Sequence, residues 1–194
     1  MKITDVNAYV VVPDYGLGES VTSGWQWTFV TIDTDAGLQG WGEASNVPRD
    51  ASLLTGAGIL AVRDALIGED PAGIEKLWQK LFRRYTYLGS RGFTSAIISG
   101  IDIALWDIAG KHFNVPTYAL MGGKVREKAR VYYHVFGDTT ETLVAGIVDA
   151  KAQGFTAVGH LTPFLDEPTD VPFFETHAAK MRDAIDAVAA YREA

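Results

Sequence analysis

The chain has 194 residues, 47% of them hydrophobic and 21% charged, proportions that exclude wholesale disorder and a simple coiled coil. Lys and Arg number 17 against 24 Asp and Glu, for a formal charge of −7, and with no basic run this argues against a nucleic-acid groove or an anionic-membrane patch. The absence of cysteine excludes disulfides, thiolate metal sites and a cysteine nucleophile, and suits a cytoplasmic location.

The N-terminus lacks the apolar segment and cleavage site of a signal peptide, and no apolar run reaches the roughly 20 residues that span a bilayer. Residues 3–12 alternate and then run apolar through Val10, Val11 and Val12, which predicts a strand. Pro13, Gly16, Gly18 and Gly24 mark the next stretch as a loop. Residues 25–33 are rich in aromatic and β-branched side chains and read as a second strand. Asp35, Ala36 and Gly37 form a turn, and residues 38–44 return as the partner strand, so that residues 1–44 make a three-stranded antiparallel meander. Helices follow. One is expected over 51–67 despite Gly56 and Gly58. A second starts at Asp70-Pro71 and runs to about Arg84, with Ile74, Leu77, Trp78, Leu81 and Phe82 on one stripe. The strongest pattern is Phe93 to Phe113, where Ile97, Gly100, Ile101, Ala104, Leu105 and Ile108 share a wide apolar face; Asn114 and Pro116 end it.

The pattern then changes. Residues 129–136 read as a mostly apolar strand, 140–153 as a helix capped by Thr139 or Thr140, 155–161 as a short strand, and 173–192 as a helix after a polar, proline-punctuated loop. Strand, helix, strand, helix with short links is the mark of a parallel α/β unit. The segment 115–128 separates this unit from the α+β region 1–114.

One segment is specific. Ala96, Ser99, Gly100, Asp102, Ala104, Trp106, Asp107, Gly110 and Lys111 follow the spacing of a known signature helix, and Gly40-Trp41-Gly42-Glu43, Pro116 and Leu120 to Lys124 agree with its surroundings. On these residues the chain resembles the mandelate racemase/muconate lactonizing enzyme family of the enolase superfamily, with a closer likeness to its sugar-acid dehydratases. The resemblance implies an α+β capping domain over residues 1–114, a crossover over 115–128, and from 129 the first two β/α units of an incomplete (β/α) barrel. It also implies chemistry on a small carboxylate substrate: Mg²⁺ bound by acidic residues on later barrel strands, beyond Ala194, and a base that removes the proton α to the carboxylate. Such a proton is very weakly acidic, and concentrated positive charge makes its removal feasible. A homo-oligomer is implied as well.

A full barrel needs roughly 200–250 residues, and residues 129–194 hold two of its eight units. The chain is expected to be a piece of a longer enzyme, inactive by itself; a naturally short, non-catalytic binding module is the alternative.

The family often carries Lys-x-Lys on the second barrel strand. An ungapped match puts those positions at Gly159 and Leu161, neither of which takes a proton. The departure argues against a racemase, which needs a base on each face of its substrate, and favours an acid-sugar (aldonate) dehydratase; a racemase or cycloisomerase of the family is the runner-up. His160 is the candidate catalytic group, since its ordinary pKa suits proton transfer, with packing at a strand end as its alternative role. Thr162 is a candidate substrate contact beside it. His134 sits near the C-terminal end of the first barrel strand on the same face as Tyr132 and Phe136, and periodicity alone leaves open whether that face points inward. Tyr15, Glu19 and Trp25 belong to the long loop that the resemblance makes a capping loop, and Arg49 to a second capping segment. Each stands as a substrate contact or as an ordinary surface or packing residue. Asp102 and Asp107 are five apart, not on one helix face, and read as structural. Gly122-Gly123-Lys124 is too short for a phosphate loop, and Asp33 with Asp35 lacks the spacing of a calcium loop.

Overall fold

Alternating apolar residues open the chain as strand β1 (Ile3–Val11), and aromatic and β-branched residues follow as β2 (Trp27–Thr34). With β3 (Gln39–Glu43) they form an antiparallel sheet in the order β1-β2-β3. A computed structural model of the protein describes residues 1–11, 26–45, 49–88, 91–159, 161 and 177–194, apart from the side chains of residues 49, 50 and 177. The chain divides into two units, Met1–Val125 and Arg126–Ala194.

In the first unit, the register Val6↔Ile32↔Gly40 puts Val6, Val30 and Ile32 on the buried face of the sheet. The β2–β3 turn is closed by Thr34 N–H to Leu38 O (3.0 Å), and Gly37 supplies its positive φ of 74°. Helix α1 (Arg49–Val62) continues as a short 3₁₀ turn, Arg63–Ala65, in place of the single helix expected to residue 67. The next helix, α2 (Ile74–Arg84), starts later than the Asp70-Pro71 pair suggests. The Asp70 carboxylate accepts from Ala72 N–H (3.1 Å) and its carbonyl from Gly73 N–H (3.0 Å), so Asp70 closes a local turn and Gly73 becomes the N-cap. Leu77 and Leu81 are the buried residues of the stripe. Glu69, just before that turn, accepts from Lys76 (2.8 Å) and Lys80 (2.7 Å).

Those two ammonium donors hold the Glu69 carboxyl down at about 2, against an ordinary 4.5. A depressed carboxyl pKa stabilises the fold above the unfolded value, and that contribution disappears as pH falls from about 4.5 to about 2. Glu69→Gln is therefore expected to lower the urea midpoint by a constant amount at neutral pH. The gap from the parent should close below pH ~4; a gap that persists down to pH ~2 would contradict the assignment.

Helix α3 (Phe93–Phe113) is the core helix of this unit. Ile97, Ile101, Leu105 and Ile108 are fully buried against Val30, Ile32, Ile59, Leu77 and Leu81. Its 21 residues are long and apolar enough, by length and composition, to cross a membrane, which corrects the expectation that no such run exists. Half of that window is buried inside the unit, so the apolar character serves packing on several sides. Asn114 ends the helix in the left-handed conformation (φ 52°), with Val115 N–H bonded to Gly110 O (3.0 Å). A short helix, α4 (Thr117–Leu120), follows.

The small residues of the signature have a packing cause. A Cβ on Gly42 would overlap the Gly100 carbonyl oxygen, and one on Gly40 would overlap that of Ala104. A Cβ on Gly100 would press on Ala44 and Val30. Strand β3 thus lies directly on the α3 backbone. Asp107 and Lys111 then complete the outer edge of β3: Trp41 N–H donates to Asp107 Oδ2 (2.8 Å), and Lys111 Nζ donates to Gln39 O (2.7 Å) and to Asp107 Oδ2 (2.6 Å).

In the second unit, β4 (Tyr133–His134) pairs in parallel with β5 (Val158–Gly159), and α5 (Thr140–Ala152) and α6 (His177–Glu193) pack on one side. Both strands are shorter than the sequence suggests. The ladder bonds Tyr133 N–H to Ala157 O (3.0 Å) and Val135 N–H to Gly159 O (3.2 Å). Before it, the Arg130 guanidinium, not the backbone, bridges to Thr156, through Nε to Oγ1 (3.1 Å) and Nη2 to O (2.5 Å). Thr139 caps α5 through a reciprocal box with Thr142. Val135, Leu143, Ile147 and Tyr191 form the core of this unit, with Val158 and Leu161 against it.

Candidate functional site

Strand alternation decides which side chains of the second unit are available to a ligand. Val135 is buried among the residues of α5 and α6, so the neighbouring even positions face the other way. Tyr132, His134 and Phe136 form an aromatic row on that open face. The Tyr132 and His134 rings lie 4.7 Å apart, and those of His134 and Phe136 lie 5.9 Å apart in an edge-on contact. His134 is half-buried between its neighbours, which are both exposed. The orientation that periodicity left open is thereby decided: His134 faces away from the helices. Gly159 is the register partner of His134, and a Cβ there would overlap the Tyr132 ring. The face accordingly offers one imidazole and one phenol, groups able to hydrogen-bond hydroxyls.

The first unit carries a separate groove of about 810 Å³. Trp78 and Glu75 of α2 and Asp102, Trp106, His112 and Phe113 of α3 line it. Burial pushes the Asp102 carboxyl above its ordinary range, and the nearby Glu75 charge adds to this. Sequence reading placed Trp78 on the stripe of α2 and Asp102 in a structural role but did not join them. The available signal was α3 itself, apolar on more sides than one sheet can cover. Asp107 has the structural role expected of it, as the acceptor at the β3 edge.

Of the residues singled out from sequence, His134 is described and stands in the aromatic row. Tyr15, Glu19, Trp25, His160 and Thr162 lie outside the described residues, as does the side chain of Arg49. Among the described residues, no group of three or more His, Asp or Glu side chains is placed to hold a metal ion, so they do not fit a Mg²⁺ site.

The comparisons with known proteins agree with this architecture. Residues 13–122 match the N-terminal domain of mandelate racemase / muconate lactonizing enzyme. A D-galactonate dehydratase from Variovorax paradoxus is 37% identical over 194 residues, which covers 96% of this chain and 46% of that protein. Among solved structures, a member of the enolase superfamily from Salmonella Typhimurium superposes with a TM-score of 0.79 at 29% identity, covering 99% of this chain and 51% of that one. The 3,6-anhydro-D-galactonate cycloisomerase from Zobellia galactanivorans gives 0.72 at 28% identity, covering 100% and 48%. The chain spans about half the length of the relatives it matches. With its meander, its signature helix on Gly40 and Gly42, and its first parallel strand pair, the chain belongs to the mandelate racemase / muconate lactonizing enzyme family of the enolase superfamily.

Proposed function

We propose that this chain is the N-terminal half of an acid-sugar dehydratase. The reaction removes the proton α to a carboxylate and expels the hydroxyl of the adjacent carbon as water, leaving an enol that becomes a 2-keto-3-deoxy acid. The observation that carries the reading is the 37% identity to a D-galactonate dehydratase over 96% of the chain, which extends through the second unit as well as the first. The row of Tyr132, His134 and Phe136 supports it, because a closed (β/α) barrel turns the face opposite its helices toward the interior. An imidazole there suits hydrogen bonding to substrate or proton transfer.

In this reading residues 1–114 are the capping domain, 115–128 the crossover and 129–194 the start of the barrel. Tyr15, Glu19 and Trp25 touch substrate from the capping loop. The Arg49 guanidinium grips a carboxylate or hydroxyl groups. His160 moves a proton, with Thr162 beside it. Magnesium belongs to the proposal through the family, and none of the described residues is assigned to it. A cytoplasmic homo-oligomer completes the proposal.

The full-length protein that carries this chain, incubated with Mg²⁺ and D-galactonate or D-gluconate, is expected to yield a 2-keto-3-deoxy acid detectable as its semicarbazone. Absence of dehydration across the aldonates would overturn the reading. The likeness to the Zobellia enzyme favours a second reading, cycloisomerisation, and turnover of 3,6-anhydro-D-galactonate alone would select it.

A further inference from the structure

We infer that the groove between α2 and α3 is the seat of a segment from the rest of the full-length protein, which sets a Lys or Arg side chain against Glu75 and Asp102 and apolar residues on Trp78 and Trp106. The inference rests on one part of the proposed function, that the chain is the N-terminal half of a longer enzyme, and not on the reaction which that enzyme performs.

The groove has about 810 Å³ and takes its walls from both helices. Ile74 and Trp78 come from α2, and the Trp78 ring is braced by a stack on Phe82 with centroids 4.9 Å apart. Trp106 and Phe113 come from α3, and Phe113 is 61% exposed. Apolar walls around so large a space lack partner atoms on one side, and that contact energy is recovered only when something fills it. Two carboxylates share the groove with these rings. Burial raises the Asp102 carboxyl, and the Glu75 charge raises it further. Among the described residues, the cations are committed elsewhere in the ion pairs they form: Lys76 and Lys80 to Glu69, Lys111 to Asp107, and Arg63 to Asp5. His112 lines the far end of the groove, ten residues along α3 from Asp102, about 15 Å away. A half-buried carboxylate beside a second one calls for a counter-charge to offset its desolvation. The stems of Lys and Arg lie well on indole rings while their heads pair with carboxylates, so a peptide segment with one cation among apolar neighbours fits both features of the groove. The chain covers 46% of a D-galactonate dehydratase and 51% of an enolase-superfamily structure, and a second half of similar length is the source of that segment.

The test is thermal unfolding of Asp102→Asn at neutral pH in two proteins, the 194-residue chain and the full-length protein. A carboxyl raised in the fold opposes folding above its ordinary pKa, so asparagine relieves the chain, and its midpoint is expected to rise by about 1–2 °C. In the full-length protein the same substitution leaves the incoming cation unpaired, and the midpoint is expected to fall by about 2 °C or more. Glu75→Gln should show the same reversal of sign, more weakly because Glu75 is exposed. Any result for Asp102→Asn other than opposite signs overturns the inference. An upward shift in both proteins would mean that no cation reaches the pair. A downward shift in both that grows with protein concentration would assign the groove to a second copy, and one independent of concentration to a segment within residues 1–194. Aldonate turnover bears on the dehydratase reading alone: a parent protein that dehydrates none leaves this inference standing, and a failed reversal leaves the reading standing.

Discussion

Gly42→Ala is expected to destabilise the first unit by about 3 kcal/mol, at the upper end of what a single added methyl costs in a packed interior. The obstacle is a backbone atom: the new Cβ would overlap the Gly100 carbonyl oxygen and stand 3.0 Å from Ala104 N. A side chain in the way can rotate, but a helix carbonyl cannot move without its whole turn. Strand β3 would have to lift from α3 and pull the buried Val30 and Ile32 away from Ile97 and Ile101. Urea denaturation of the 194-residue chain reads this as a lower midpoint at unchanged slope. Gly58→Ala is the control. Its Cβ would meet the tip of the Ile97 side chain, which can give way, and alanine adds helix propensity in α1, so its cost should stay below about 1 kcal/mol. Equal costs at the two sites would show that the close approach of β3 to α3 is not what the glycines serve.

Asp107→Ala is expected to cost about 2 kcal/mol, in the range for charge-assisted hydrogen bonds. The carboxylate is the partner of the Trp41 N–H on the outer edge of β3, and it holds Lys111, which in turn bonds Gln39 O. Its loss leaves two edge groups of one strand to water and frees a lysine. Lys111→Met should cost less, about 1 kcal/mol, and the two losses together should fall short of their sum, because one network carries both. An uncovered strand edge also invites pairing between molecules. Sedimentation of Asp107→Ala at raised concentration should accordingly show self-association beyond that of the parent. Full additivity of the two variants, with no change in sedimentation, would mean that Asp107 is only a solvated helix residue.

These two predictions show how unevenly the motif can be read from sequence. Gly100 and Ala104 are visible as small residues, and Asp107 and Lys111 as a charged pair one turn apart, but their partners are Gly40, Gly42, Trp41 and Gln39, some sixty to seventy residues earlier. Helical periodicity reports only which residues share a face, not what arrives against it. Asp70 shows the opposite failure, in which a good N-cap type preceding proline suggests a helix start. The same carboxylate closes a turn on Ala72 instead, and Gly73 starts the helix. In the barrel portion, the types and order of the elements agree with the sequence pattern, whereas the strands are cut back to the residues that have a ladder partner.

The candidate site divides along the same line. Sequence by itself determined the element types, the family resemblance and the even-numbered set of Tyr132, His134 and Phe136, because period-two alternation and helix signals are local properties of the chain. It also put Gly159 and Leu161 where an ungapped match to the family expects lysines. Only the tertiary structure decided which face of β4 is covered. Burial of Val135 by Leu143, Ile147 and Tyr191 turns His134 away from the helices, and alternation is symmetric until such a contact breaks the tie. It also decided why residue 159 is glycine, since the ring that needs the room comes from the neighbouring strand, and no local rule links positions so far apart in sequence.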